Sequence, residues 1–185
     1  GFAPTAIPTN AILQYQNVDE AEITGLEFEI RKNLDFISES LQKFSIGGNL
    51  SLINSSISIP PEEIAQRPDT TDTKRVLQGQ SPYIINVNFG YDDLDTGLSA
   101  GFYFNVFGER LSNVGFGLTP DVFEKPRPQL DFVGSKDFNQ LSVSLKVQNI
   151  LNPETRFVHE FRDTEAVFAA FRTGINFSVG VSYGF

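Results

Sequence analysis

The stretch Phe171-Arg-Thr-Gly-Ile-Asn-Phe-Ser-Val-Gly-Val-Ser-Tyr-Gly-Phe185 decides the fold. Its odd positions are Phe171, Thr173, Ile175, Phe177, Val179, Val181, Tyr183 and Phe185. Its even positions are Arg172, Gly174, Asn176, Ser178, Gly180, Ser182 and Gly184. One face is almost wholly apolar and the other small or polar, which is the period of two of a β-strand. The run is about fifteen residues long, whereas strands of ordinary globular proteins span about 5–6. The three glycines Gly174, Gly180 and Gly184 argue against a helix as well.

The same alternation recurs upstream. Leu141, Val143, Leu145 and Val147 alternate with Ser142, Ser144, Lys146 and Gln148. Leu98, Ala100, Phe102, Phe104 and Val106 alternate with Ser99, Gly101, Tyr103 and Asn105. Tyr83, Ile85, Val87, Phe89 and Tyr91 alternate with Asn86, Asn88, Gly90 and Asp92, with Ile84 as an exception. Phe44, Ile46, Leu50 and Leu52, then Leu26, Phe28 and Ile30, continue the pattern. Leu130 and Phe132 repeat it more weakly. The reading gives about seven strands, near 11–32, 43–56, 78–92, 97–111, 128–136, 140–149 and 171–185. A bulge is expected around Asn17–Glu20, where the alternation lapses.

Tight or modest turns fall at Asp92–Gly97 and Lys136–Asn139, with a longer one at Asn33–Gln42. Long polar connections fall at Ser58–Gln78, Ser112–Arg127 and Asn152–Ala170. Short turns at one end and long loops at the other are the layout of an outer-membrane β-barrel. The polar faces agree. They are rich in Ser, Asn and Gly, which suits a hydrated lumen, whereas the outward face of a soluble sandwich carries mostly Lys, Glu, Thr and Arg. Tyr83, Tyr91, Phe171, Tyr183 and Phe185 stand at strand ends, where an interfacial aromatic girdle belongs. A soluble all-β domain with a phenylalanine-rich core is the alternative.

Composition narrows function. The 185 residues carry 14 Lys+Arg against 23 Asp+Glu, a net charge of -9, and include 18 Phe, one His and no Cys, Met or Trp. No disulfide framework, thiolate metal site or cysteine nucleophile exists, and one imidazole builds no multi-histidine centre. The acidic balance disfavours nucleic acid as a partner. No apolar run approaches the ~18 residues of a transmembrane helix, a filter that a β-barrel passes unseen. The chain opens without an initiator Met, a basic n-region or an apolar h-region, and reads either as a mature protein after cleavage or as a fragment of a longer one. No catalytic residue, metal site or cofactor is expected, and the chain reads as a non-enzyme.

Four segments carry a resemblance. They are Asn17-Val-Asp-Glu-Ala-Glu-Ile-Thr-Gly-Leu-Glu-Phe-Glu-Ile-Arg31, Gln80-Ser-Pro-Tyr-Ile-Ile-Asn86, Glu124-Lys-Pro-Arg-Pro-Gln-Leu-Asp131 and Val147-Gln-Asn-Ile-Leu-Asn-Pro153. Together they resemble the C-terminal barrel of TonB-dependent outer-membrane receptors, in the branch common in Bacteroidetes. The resemblance implies a barrel of about 22 strands around an N-terminal plug, of which residues 1–185 form the C-terminal part and no plug is visible. It implies uptake of an iron chelate, peptide or glycan, driven through TonB by way of the absent N-terminal part. The implied partners are outer-membrane lipid, the rest of the barrel and its plug, and the barrel-assembly machinery. With Phe185 in the periplasm, counting strands back puts Gly1 outside the cell.

Particular residues follow. Phe177, Val179, Val181, Tyr183 and Phe185 resemble the C-terminal signal read by the assembly machinery. Glu27, Glu29 and Arg31 share one face of one strand and suit either a lumen network gripping the plug or simple solvation. Asp131 and Lys146 face inward on neighbouring strands, close enough in the pattern to pair. The loop 152–170 with Phe157, His159, Phe161 and Arg162 is a candidate lid over an external ligand, or else folds back on the rim. His159, beside Glu160, Arg162, Asp163 and Glu165, reads as a solvated loop residue more than a ligand or base. Two further readings stand beside transport: a barrel fragment captured as a substrate of the assembly machinery, and a small structural or adhesive barrel of about eight strands.

Overall fold

A computed structural model describes residues 20–66, 72–117, 119–161 and 164–185. Twelve strands form in chain order: β1 (Ala21–Asn33), β2 (Phe44–Ser58), β3 (Lys74–Arg75), β4 (Tyr83–Asp93), β5 (Leu98–Phe107), β6 (Arg110–Asn113), β7 (Val122–Glu124), β8 (Gln129–Phe138), β9 (Leu141–Gln148), β10 (Thr155–Phe161), β11 (Thr164–Phe171) and β12 (Asn176–Tyr183). One four-residue helix, α1 (Pro61–Ile64), and two 3-10 turns complete them. Among the described residues no helix is long and apolar enough to cross a membrane.

The main sheet is an antiparallel meander in the order β1-β2-β4-β5-β8-β9-β12, with β3 paired to the end of β2. Its seven principal strands are the seven expected from alternation. Among the described residues the sheet does not close: β1 and β12 each have a partner on one side only. The expected bulge at Asn17–Glu20 and the first part of the 11–32 strand lie outside the described residues, apart from Glu20 at the edge.

Register turns the alternation of single strands into two continuous faces. On one, Leu26 pairs with Leu52, Phe28 with Leu50, Leu50 with Ile85, Phe89 with Phe102, Phe102 with Phe132, Phe132 with Val147 and Val147 with Phe177. The rings of Phe102 and Phe132 stand 5.0 Å apart, and Phe44 lies 4.9 Å from Tyr91. Among the described residues nothing covers this face. Leu26, Phe28, Phe177, Val179 and Val181 are all more than half exposed. The charged residues on it, Glu22, Lys32, Lys74, Asp93 and Lys136, sit at strand ends and leave an uncharged band between them.

The buried apolar side chains lie elsewhere. Among the described residues Ile57, Ile59, Leu111, Val122 and Val158 are the buried hydrophobic ones. All of them belong to the end of the sheet that carries the long connections. There a second antiparallel sheet forms in the order β11-β10-β7-β6. The hairpin β6–β7 comes from the connection after β5, and the hairpin β10–β11 from the connection after β9. They join through Phe157–Glu124, Val158–Phe123 and His159–Val122.

Three expected strands are therefore too long. The 78–92 strand starts only at Tyr83, because the chain turns at Gln78–Gly79, where Gly79 takes φ +79°. The 97–111 strand breaks after Phe107, because the chain at Gly108 runs against Tyr83. A Cβ there would lie 2.7 Å from that ring, and Gly108 N–H bonds the Tyr83 carbonyl. The 171–185 strand is two elements. Phe171 ends β11 in the second sheet, and a corner at Gly174 (φ +83°) precedes β12. Phe171 thus belongs to the outer sheet and not to a girdle on the main one. The 152–170 connection, expected as an irregular loop, is mostly the hairpin β10–β11.

The opposite end is held by compact turns. Asp93, buried, accepts the amides of Asp95 and Thr96 and pairs with Lys43 of the neighbouring turn at 2.7 Å. Gly97 takes the left-handed conformation that closes this turn, and Asn139 does the same between β8 and β9.

Candidate functional site: the polar face and the outer sheet

The second face of the main sheet carries the polar alternates. Glu27, Glu29 and Arg31 project from it on β1, opposite Ser51, Asn49 and Gly47. Arg31 and Glu29 pair with each other at 2.7 Å and are both largely exposed. From there a row of amides crosses the strands in register: Asn49 of β2, Asn86 of β4, Asn105 of β5 and Gln129 of β8. Asn105 Nδ2 donates to Asn86 Oδ1 and Asn86 Nδ2 to Asn49 Oδ1, both at 2.8 Å. Asn49 Nδ2 donates to the Glu27 carboxylate at 2.6 Å. The chain of amides is polar in one direction and terminates on a negative charge, the arrangement in which each bond polarises the next.

The next row holds Asn88, Tyr103 and Asp131. Asn86, Asn88, Tyr103, Asn105, Gln129 and Asp131 line a depression on this face. The Tyr103 ring leans over Gly101, where a Cβ would stand 3.1 Å from it. Ile84, the exception in its strand, also faces this side, opposite Phe107 near the outer end.

Asp131 and Lys146 do share the face, but no ion pair joins them. Lys146 stands opposite Val133, one pair along from Asp131. The Asp131 carboxylate instead accepts the backbone N–H of Asn149 at 2.8 Å. That contact opens a staple at the Asn-Ile-Leu-Asn corner. Asn149 Nδ2 donates to Thr173 Oγ1 and to the Gly174 carbonyl. The Asn152 side chain accepts Gly174 N–H, and Arg172 bonds the Asn152 carbonyl. Asn149 and Asn152 both take positive φ, which Asn tolerates better than most residues. The staple fixes the points where the outer hairpin leaves β9 and returns to β12.

No family model, no curated protein and no solved structure matches the chain. What the site does must be read from its own residues.

His159 is not a solvated loop residue. It lies on β10 opposite Val122, its Nδ1 is 3.0 Å from the Pro120 carbonyl, and its ring meets Phe168 edge-on at 5.2 Å. A ring so placed is a packing element of the outer sheet. Phe157 stacks near Phe171 at 6.5 Å, so these aromatics bind the hairpin to itself. Phe161 ends β10, and Arg162 lies outside the described residues. Val167, Phe168 and Phe171 remain at least half exposed on β11.

The strongest charge cluster was not singled out from the sequence. Lys125 Nζ stands 2.5 Å from each of the carboxylates of Glu109, Glu160 and Glu165. Burial pushes the Lys125 ammonium down, and the hydrogen bonds to the three glutamates outweigh it and raise it above its usual range. Bonding to Lys125 lowers Glu165 in turn. Nearby, Arg110 pairs with Glu124 at 2.7 Å and lies 4.3 Å over the Phe107 ring. The only clue in the sequence was a lysine beside Pro126, spaced at random from three loop glutamates.

On β12, Phe177, Val179, Val181 and Tyr183 pair with Val147, Leu145, Val143 and Leu141. The Tyr183 ring meets Phe185 edge-on at 5.6 Å, and Phe185 is fully exposed.

Proposed function

We propose that the chain forms the C-terminal wall of a TonB-dependent outer-membrane receptor, which takes up a scarce nutrient and is not an enzyme. The observation that carries this reading is the uncovered apolar face. Seven strands in register present aliphatic and aromatic side chains outward, with charge only at strand ends. A layer of this kind in water would be covered by a second sheet or by helices. In an outer membrane, lipid covers it, and amides and ionised groups face a wet interior. The sorting of long connections to one end supports the same orientation, with the β6–β7 and β10–β11 sheet outside the cell. The one-sided edges of β1 and β12 are the places where further strands complete the wall. The nutrient is an iron chelate, a peptide or a glycan, and the partners are TonB, lipid and the plug.

Cell fractionation with cross-linking tests the proposal. The full-length protein is expected in the outer-membrane fraction and in a cross-linked adduct with TonB. A soluble or inner-membrane protein, or an outer-membrane one without the adduct, overturns it. The free edge and exposed terminal ring of β12 also favour recognition by the barrel-assembly machinery during biogenesis.

A further inference from the structure

We propose that Lys125 is a latch, which holds the β10–β11 hairpin against the β6–β7 hairpin so that the two outer connections move as one lid. The inference rests on the outer sheet alone and stands whether or not the protein transports a nutrient. Three features carry it. The first is where the ion pairs reach: Glu109 precedes β6, Lys125 follows β7, Glu160 is on β10 and Glu165 on β11. One ammonium thus ties four segments from two connections. The second is like charge. Glu160 and Glu165 are direct cross-strand partners, a placement that repels unless a cation stands between them. Without Lys125, these two and Glu109 push the hairpins apart. The third is the shortness of the seam, which apart from the buried Val122 and Val158 and the Lys125 N–H bond to the Arg156 carbonyl is narrow. β10 meets β7 over three residue pairs, and Val167, Phe168 and Phe171 of β11 face solvent. At its root the hairpin leaves the main sheet through left-handed residues, Asn149 and Asn152 on one side and Gly174 on the other. The staple across these corners keeps the root fixed on the main sheet, so opening is confined to the hairpin beyond it.

Hydrogen exchange of the full-length protein in detergent micelles tests the latch. Lys125→Met is expected to speed exchange of the 155–171 amides about tenfold or more, with β9 unchanged, as local opening requires. Lys125→Arg, which keeps the charge, should stay close to wild type. Glu165→Gln leaves Lys125 two carboxylates and provides a milder variant should the first fail to fold; it is expected to show an intermediate rise. Unchanged 155–171 exchange in Lys125→Met or in Glu165→Gln overturns the proposal. So does an equal rise in β9, which would make Lys125 a general stabiliser.

Discussion

Asn149 donates its side-chain amide to the carbonyl of Gly174, 2.6 Å away and 25 residues on in the chain. The same amide reaches Thr173 Oγ1 at 3.0 Å, and Asn149 itself is buried with φ +59°. Asn149→Ala removes both bonds and places a Cβ residue without a polar side chain in the left-handed region. A destabilisation of about 2–3 kcal/mol is expected in urea unfolding from micelles. Asn149→Gly, which suits the backbone and lacks only the bonds, should cost about half as much. Equal costs for the two would show that the conformation is immaterial and the staple alone matters.

The two faces of β12 give a direct test of orientation. Val179 is exposed on the apolar face opposite Leu145, and Ser178 is on the polar face opposite Lys146. Val179→Arg is expected to cost roughly 2–4 kcal/mol near the bilayer midplane, and Ser178→Arg well under that. Folding into lipid vesicles measures both. A larger penalty for Ser178→Arg would reverse the assignment of lumen and lipid.

The outer sheet should respond to acid before the main sheet does. Lys125 holds the Glu165 carboxyl below its ordinary value. A carboxylate lowered on folding stabilises the fold above its unfolded value, near pH 4.3, and this contribution fades as pH falls through the folded value. The raised Lys125 contributes fully below about pH 10.4 and loses its contribution only above that. The Lys125–Glu165 pair is therefore intact from about pH 5 to pH 10. Between pH 5 and pH 3, exchange of 155–171, corrected for the intrinsic rate, should rise relative to 141–148. A constant ratio would mean that the Lys125–Glu165 pair does not hold the hairpin.

Much of the main sheet was legible in the sequence because its signal is local. Val179 and Leu145 declare their face through neighbours two residues away, and a turn such as Leu94–Gly97 follows from the glycine. Strand ends were less legible where tertiary contact decides them. The parity from Phe171 to Ile175 is that of β12, yet Asn149 and Asn152, more than twenty residues earlier, pin Thr173 and Gly174 into a corner. The strands of the outer sheet were not foreseen. β6 and β7 are four and three residues long, too short for a period of two to register. The polar face shows the same division. That Glu27, Glu29 and Arg31 share a side is a matter of parity, whereas the line Asn105–Asn86–Asn49–Glu27 depends on the register of four strands. The Lys125 cluster depends on two hairpins meeting, and nothing in the spacing of Glu109, Lys125, Glu160 and Glu165 encodes it.

Phe185 is fully exposed beside Tyr183, whose ring it meets edge-on; on the reading proposed above it belongs to the signal that the assembly machinery recognises. Phe185→Asp keeps every pair of β9 with β12, because the register ends at Tyr183–Leu141. The folded protein should lose less than about 0.5 kcal/mol, as expected for a surface position. Assembly into the outer membrane should nonetheless slow severalfold, read as a longer-lived unfolded band in heat-modifiable gel mobility. Unaltered assembly would show that the terminal ring is not part of the recognised signal.

The amide row reports whether the polar face is wet. Asn86 links Asn49 to Asn105, and Asn86→Leu leaves one acceptor and one donor without their partner. In a hydrated lumen, water replaces both bonds and the loss stays within about 1 kcal/mol. Where a packed plug excludes water, each orphaned group costs about 1–3 kcal/mol. On the receptor reading proposed above, Asn86→Leu is therefore expected to cost little in the barrel without a plug and more with one. The comparison needs only the unfolding midpoints of the two forms, with and without the substitution. A high cost in both forms would mean that the row is sealed by the barrel's own side chains, and an equally low cost in both would mean that the plug does not rest on it.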